Sequence, residues 1–459
     1  MPHASTPFAN DKLLADDLRE LTMKYMWKKI AAAALVAATL CSAAACGSSV
    51  GVSDVPVVPA EGDVTIRLNW WGGDARIKAT EQAVKGFEAE HPNIHVDMEY
   101  SDWTGYWDKL AVQSAGGNAP DVMQMDQLYL AFYGSMNALL DMDKASQYLD
   151  LSHMDADTRN TGKVDGVQVA APATIAQFGV IVNNDILDEL GVAMPSTDTW
   201  TWDDFERVAQ EVSQKSGNKY IGSIFMNNSY GLELWARQHG ESTFDGNKVS
   251  ISPETLASFL EKPADWAKNG IEGNAERWSE NVTASMNDTD FGKGRQAFML
   301  TQATQITPYA QAAGNPRMTL VPLPQMNPGE KTMYFKNGMY WAISSGSQHP
   351  AEAAMLVDYL INDSKAGAIL GTERGIPANN DIRTALAKTA TGTDKLSLDF
   401  VDAIRPTVGK APAVVPNGAS ELDKTIVRYQ QDVVFGKRKP LEAAKSMIDE
   451  LQESIDFNS

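Results

Sequence analysis

The segment that decides the fold is Gly116–Asp126, with the sequence GGNAPDVMQMD. Its first five residues, which include two glycines and a proline, are typical of the end of a helix. The apolar run Val122–Met125 then has the length and composition of a buried parallel strand. Because ligands of open α/β sheets bind beyond the carboxyl ends of the strands, Asp126 and Gln127 are candidate ligand-binding residues. The alternative is that Asp126 only caps a helix that begins near Leu128.

Two earlier units predict the same order of strand followed by helix. Val64–Asn69 and Ile94–Tyr100 alternate apolar and polar side chains, as half-buried strands do. Between them, Thr80–Phe87 carries core residues at positions i, i+3, i+4 and i+7, the spacing of one helix face. This alternation of strands and helices predicts a doubly wound α/β sheet. Further along, Thr201 and Asp204 form the pattern of a capping box at the start of another helix.

Each of the first three predicted strands ends in polar or aromatic side chains. Trp71 and Asp74 follow the first strand, Trp103 follows the second, and Asp126 follows the third. A sugar offers apolar C–H faces on which aromatic rings stack, and hydroxyl groups that carboxylates and amides bind. The convergence of these side chains at one sheet edge predicts a carbohydrate site. The alternative is that Trp71 and Trp103 simply pack on the edge of the sheet.

The composition argues against several classes of protein. The chain has 459 residues, 43% of them hydrophobic, which is enough for two or three domains. Its formal net charge of −20 leaves no basic patch for phosphates and argues against nucleic-acid binding. The motifs of phosphate-binding loops, serine hydrolases and zinc proteases are absent from the sequence. Asp155 and Asp157 begin like a calcium loop but lack its glycine and terminal glutamate, so no metal and no cofactor are expected.

An export signal is predicted near the N-terminus. Three lysines between positions 24 and 29 precede the apolar segment Ile30–Leu40, which is too short to span a bilayer. Three alanines and Cys46 follow, and this order resembles a bacterial lipoprotein box, although an alanine stands where that box usually has leucine. The resemblance implies that residues 1–45 are a signal peptide and that Cys46 is lipidated; the alternative is a hydrophobic N-terminal helix with incidental cysteines. Residues 1–22 do not resemble a signal, and the translated chain is expected to start after them.

Cleavage before Cys46 would leave a single, acylated cysteine, so the mature protein is expected to contain no disulfide. Residues 46–63 are rich in proline, glycine and valine without periodicity, which predicts a flexible tether between the lipid and the first strand.

The order of motifs from Val64 to the end resembles the extracellular solute-binding proteins of carbohydrate ABC importers (family 1, the maltose- and oligosaccharide-binding lipoproteins). The block Ala119–Met123 resembles the hallmark of that family. Three later segments resemble its crossings between two lobes: Gly166–Asn184, Phe291–Gln302 and Gly371–Ala378. The resemblance implies a two-lobed periplasmic-binding-protein-like α/β fold, in which each lobe is a mainly parallel sheet flanked by helices. It further implies the following division: lobe 1 comprises residues 64–172 and 301–373, and lobe 2 comprises residues 173–300 and 374–459.

The same resemblance implies ligand contacts from the second lobe and from the hinge. Tyr230 and Trp235 match the aromatic platform of the family's second lobe, although both could instead be core residues of a helix. Gln302 lies at the expected return of the chain to the first lobe, near Thr301. Arg374 lies in the expected third crossing, facing the cleft.

These features together predict a binding protein and not an enzyme. The expected function is capture of a sugar or oligosaccharide between the lobes and its delivery to an ABC permease with a cytoplasmic ATPase. The expected protein is a monomer, held by lipid on the outer face of the cytoplasmic membrane. The alternatives are a secreted glycoside hydrolase, which needs two carboxylates roughly 5–9 Å apart, and a carbohydrate-binding surface adhesin.

Overall fold

The computed structural model of the protein describes residues 57–458. The predicted signal peptide, Cys46 and most of the predicted tether lie outside the described residues. The strands are β1 (Val64–Trp71), β2 (Ile94–Ser101), β3 (Val122–Met125), β4 (Lys163–Val164), β5 (Val167–Gln168), β6 (Ala171–Ala176), β7 (Phe178–Asn183), β8 (Phe244–Asp245), β9 (Lys248–Val249), β10 (Phe298–Gln302), β11 (Met318–Val321), β12 (Lys336–Ile343) and β13 (Ile376–Pro377).

Helices surround these strands along the whole described chain. They are α1 (Asp74–Glu90), α2 (Trp103–Ala115), α3 (Gln127–Ser135), α4 (Ala156–Asn160), α5 (Asn184–Leu190), α6 (Trp202–Lys215), α7 (Ser229–Gln238), α8 (Pro253–Lys268), α9 (Ala275–Thr283), α10 (Ile306–Ala312), α11 (Pro350–Asn362), α12 (Ser364–Leu370), α13 (Asn380–Thr389), α14 (Gly392–Ile404), α15 (Leu422–Val434) and α16 (Pro440–Asn458). Among residues 57–458, no helix is long and apolar enough to cross a membrane.

The first lobe is built on a six-stranded sheet with the order β13-β6-β12-β3-β1-β2. The strand β1 pairs in parallel with β2 and with β3, because helical crossovers connect these three strands. The core stripe predicted within Thr80–Phe87 is confirmed, since its four core positions are buried on α1. The predicted strand that precedes Asp126 is β3, which is buried along its whole length.

The second lobe contains a three-stranded sheet in which β10 and β11 flank β7. Both pairs are antiparallel. In the first sheet β12 also pairs antiparallel with β3 and β6, and β13 with β6, so the expectation of a mainly parallel sheet in each lobe is corrected. The strands of the second sheet are covered by a large apolar core that the helices α6, α7, α8, α15 and α16 supply. The capping box at the start of α6 is confirmed: the Thr201 hydroxyl accepts from the Asp204 N–H, and the Asp204 carboxylate accepts from the Thr201 N–H.

The chain passes between the two sheets at three places among the described residues. Gln177, which is fully buried, is the only residue between β6 of the first sheet and β7 of the second. The return occurs in residues 322–335, between β11 and β12. The expected return near Thr301 is therefore wrong: Thr301 pairs with Gly179 of β7 and belongs to the second sheet. The sequence pattern of an apolar strand after a small-residue turn fits either lobe, because only the strand with which it pairs decides the sheet to which it belongs.

The third passage follows β13. Ile376 and Pro377 still pair with β6 of the first sheet, so the lobe boundary lies beyond the expected residue 374. The helices α13 and α14 come next, and α15 and α16 then pack against α8 of the second lobe.

Candidate functional site

A cavity of about 630 Å³ lies where the two sheets approach each other, within the usual size range of small-molecule sites. The first lobe lines it with residues from α1, β6, β12 and the loop before β13. The second wall is formed by the segment that follows β10 and by the start of α14. The lining residues are Arg76, Asp126, Thr174, Ile175, Ala176, Gln302, Thr304, Gln305, Thr307, Pro308, Lys336, Gly338, Met339, Leu370, Thr372, Glu373, Arg374, Gly375, Ile376, Asp394 and Ser397.

Arg374 is a buried cation in the first wall of this cavity. Its Nε donates to the Gln124 side-chain oxygen at 3.1 Å, and its Nη2 donates to the Thr80 hydroxyl at 2.6 Å. The guanidinium also lies 5.3 Å from the ring centroid of Trp341. Burial and, to a smaller extent, the nearby Arg76 charge lower the pKa of Arg374 to about 9, although the Glu373 carboxylate opposes both. Arg374 therefore stays protonated at neutral pH.

Arg76 and Glu373 tie this wall to α1. The Arg76 Nε forms an ion pair with the Glu373 carboxylate at 2.8 Å, and its Nη1 donates to the Trp71 carbonyl at 3.1 Å. The pair fixes the loop that precedes β13 and so positions the neighbouring Arg374.

Asp126 has the capping role that the sequence left as one alternative, and it also lies at the cavity. Its carboxylate accepts from the Leu128 N–H at 2.9 Å and so caps α3, and the same residue lines the cavity. Burial raises the pKa of Asp126, whereas the positive charge of Lys336 lowers it. The adjacent Gln127 is nearly buried and lines a smaller space of about 60 Å³ that also borders Lys336. The two spaces therefore share a wall at Lys336.

The second wall consists of hydroxyl and amide side chains. Gln302, at the end of β10, is half-buried and lines the cavity together with Thr304 and Gln305. The Thr307 hydroxyl contacts the side chains of Thr393 at 2.8 Å and Asp394 at 3.1 Å, which joins α10 to α14. Hydroxyl and amide side chains can both donate hydrogen bonds to, and accept them from, the hydroxyl groups of a polar solute.

The tryptophans predicted at the strand ends lie together, but outside the main cavity. Trp71 is only 7% exposed, and its ring lies 5.0 Å edge-on from that of Trp103. Trp103 keeps 40% of its surface exposed. Both belong to an aromatic cluster of the first lobe that also includes Tyr106, Trp107 and Tyr129. Asp74 is exposed at the first turn of α1 and does not line the cavity.

The two aromatic residues predicted in the second lobe are buried. The Tyr230 hydroxyl donates to the Tyr334 carbonyl at 2.6 Å, and its ring borders the smaller space. Trp235 is 2% exposed, and its Nε1 donates to the Ser258 hydroxyl at 2.9 Å. Its ring packs in the lobe core against Trp202, so its assignment as a ligand platform is corrected. Helical spacing around Leu232 and Leu234 already allowed this core role.

Several cavity residues were not predicted from the sequence. Arg76 and Glu373 are polar residues without a motif, and Thr174, Lys336 and Gly338 lie on strands that reach the cavity from distant parts of the chain. The pairing of β6 with β12 brings these strand residues together. Among these residues, only those around β6 lie near a visible sequence signal, because Pro172 interrupts an apolar run there.

A polar cavity between two α/β lobes joined by three chain crossings defines the class of two-lobed solute-binding proteins. Sequence comparison identifies the family. The sequence model of the bacterial extracellular solute-binding protein family matches residues 82–394, and the chain belongs to this family. Its members are binding proteins, which confirms the expectation of a binder over an enzyme.

Individual relatives are similar along most of the chain. An uncharacterized ABC transporter extracellular-binding protein of Pyrococcus horikoshii is 25% identical over 95% of this chain and 99% of its own. A maltooligosaccharide ABC transporter solute-binding lipoprotein of Streptococcus pneumoniae is 21% identical over 79% of this chain and 83% of its own. A solved family 1 extracellular solute-binding protein of Alicyclobacillus acidocaldarius is 26% identical, with a TM-score of 0.70 over 86% of this chain and 99% of its own.

Proposed function

We propose that this protein captures a sugar or oligosaccharide between its lobes and delivers it to an ABC permease. The observation that carries the proposal is the cavity of about 630 Å³, to which both lobes contribute polar side chains. Carboxylate, amide and guanidinium groups are the side chains that bind sugar hydroxyls with directional hydrogen bonds. The similarity to a maltooligosaccharide-binding relative supports a carbohydrate ligand.

Binding is coupled to closure of the lobes. A solute that contacts Asp126 and Arg374 on one wall and Gln302 on the other stabilises only the arrangement in which both walls meet it. The solute shifts the equilibrium by its difference in affinity for the closed and open forms. The closed form then presents the surface that the permease recognises.

The protein acts on the outer face of the cytoplasmic membrane, anchored through lipid on Cys46. The lipoprotein-like segment before Cys46 supports this location, and so does the similarity to a solute-binding lipoprotein. The protein functions as a monomer, and its permease works with a cytoplasmic ATPase.

A thermal-shift screen of the purified protein against mono- and oligosaccharides tests the proposal. A sugar present at a hundred times its Kd should add about 2.7 kcal/mol to the free energy of unfolding. For a sugar that stabilises the protein, Gln302→Ala should weaken binding about 2- to 10-fold through the loss of one hydrogen bond. The matched control is Gln311→Ala at an exposed position on α10, which should leave affinity unchanged. Stabilisation by amino acids or peptides but by no sugar would contradict the carbohydrate assignment.

A further inference from the structure

Residues 410–418, here called the strap, leave the second lobe, touch the first lobe and return. At one end, the Lys410 carbonyl accepts from the Arg237 Nη1 of α7 at 2.7 Å. At the other end, the Gly418 carbonyl accepts from the Ser454 hydroxyl of α16 at 2.7 Å. Gly418 has a φ of 88°, and a Cβ there would lie 2.3 Å from the Ser454 carbonyl oxygen, so this end requires glycine. Both ends of the strap are therefore fixed to the second lobe.

The middle of the strap contacts the first lobe. Val414 is half-buried and packs against the first-lobe cluster that contains Trp71 and Trp107. The Asn417 amide lies 3.5 Å from the Ser135 hydroxyl at the end of α3. Pro412 and Pro416 restrict the backbone on either side of Val414, which reduces the number of conformations that the strap can adopt.

The space next to these contacts is small. Only about 60 Å³ remains between the strap, the start of α3 and the side chains of Tyr230 and Glu233, compared with about 630 Å³ in the main cavity. The two lobes are thus in direct contact through the strap on this side, whereas the solute cavity stays open on the other. Separation of the lobes at this contact has to expose Val414 and the part of the first-lobe cluster that it covers to water, which is unfavourable.

We propose that the strap is a latch that stabilises the closed arrangement of the lobes before any solute binds. The contact of Val414 with the first-lobe apolar cluster joins a segment fixed to the second lobe to the first lobe, so the latch adds apolar burial to this arrangement. The latch therefore sets the fraction of ligand-free protein that is closed, and the apparent affinity for the solute scales with that fraction. This role does not depend on the chemical identity of the solute.

The test measures lobe separation in the ligand-free full chain. Lys85→Cys on α1 and Glu261→Cys on α8 place one spin label on each lobe, in a chain whose two native cysteines are replaced by serine. Val414→Ala removes two half-buried methyl groups and should lower the ratio of closed to open protein about 4-fold. Val414→Asp should lower it further because a carboxylate cannot remain against an apolar cluster without solvation.

The control is Val112→Ala, which makes the same deletion at a side chain that is 74% exposed on α2. It should leave the distance distribution unchanged, and near-ultraviolet circular dichroism should show that all variants are folded. An unchanged distribution in Val414→Asp, or an equal shift in the control, would overturn the latch. Because no sugar is present, failure of this test is distinct from failure of the carbohydrate proposal.

Discussion

Replacement of Glu272 by glutamine should remove a pH dependence of stability. Glu272 is completely buried in the second lobe, where its Oε2 accepts from the Phe225 N–H at 3.2 Å. Its Oε1 has no hydrogen-bond partner among the described residues. Burial raises the pKa of Glu272 well above its usual range, and the single Phe225 hydrogen bond opposes this only in part. The folded protein therefore holds this carboxyl in its neutral form.

The sign of the effect follows from proton binding. Above the unfolded pKa of about 4.3, the unfolded chain releases the Glu272 proton while the folded chain retains it. The contribution of Glu272 to stability is thus greatest at acidic pH and decreases as pH rises through the window between the unfolded pKa and the raised folded pKa. One retained proton corresponds to about 1.4 kcal/mol of unfolding free energy per pH unit within that window.

Glu272→Gln keeps the shape and the acceptor for the Phe225 N–H but cannot ionise. Near pH 4 the variant should lie within about 1–2 kcal/mol of the wild type, since both contain a buried donor without a partner. At higher pH the variant should become the more stable protein, and its advantage should grow by about 1.4 kcal/mol per pH unit. For a chain of this length, each kcal/mol corresponds to roughly 1–2 °C of Tm.

The assay is thermal unfolding of both proteins from pH 4 to pH 9, with the difference in Tm plotted against pH. Taking the difference cancels the other titrating groups, including Asp126, whose pKa is also raised by burial. Glu280→Gln, at an exposed position on α9, is the matched control and should follow the wild type. Parallel curves for wild type and Glu272→Gln across this range would refute the assignment of a buried neutral carboxyl.

Three further substitutions test the core role of Trp235, a ligand role for the exposed Trp103 and the lipid anchor at Cys46. Trp235→Ala should cost about 3–5 kcal/mol of stability, because a buried ring of the second lobe is lost; an unfolding free energy within 1 kcal/mol of the wild type would contradict the core assignment. Trp103→Ala should lower the ligand-free Tm by only a few degrees, since 40% of this side chain is exposed. If Trp103 stacks on a sugar, calorimetry should show a loss of roughly 1–3 kcal/mol of binding; unchanged affinity would remove it from the site. Cys46→Ser should move the protein from the membrane to the soluble fraction, as its lipid anchor is lost; retention in salt-washed membranes would argue against lipidation.

Local patterns in the sequence determined several elements of both lobes. The stripe on α1, the strand before Asp126 and the capping box of α6 are each specified by residues within two helical turns or one strand of each other. Short-range periodicity reports which side of an element is buried, so these predictions did not require knowledge of the partner. The position of Asp126 at the cavity between the lobes followed from the direction of a parallel strand.

Tertiary structure alone decided which elements meet. The apolar pattern of β10 is compatible with a strand of either lobe, and only its pairing with β7 places it in the second sheet. Trp71 and Trp235 are large amphipathic side chains whose sequence neighbours fit a cleft or a core equally well, and packing buried both. Arg374 reaches Thr80 across 294 residues of sequence, and no local signal specifies such a contact. Side-chain burial depends on elements that are distant in the chain, which is why the sequence located the cleft better than it identified the residues that line it.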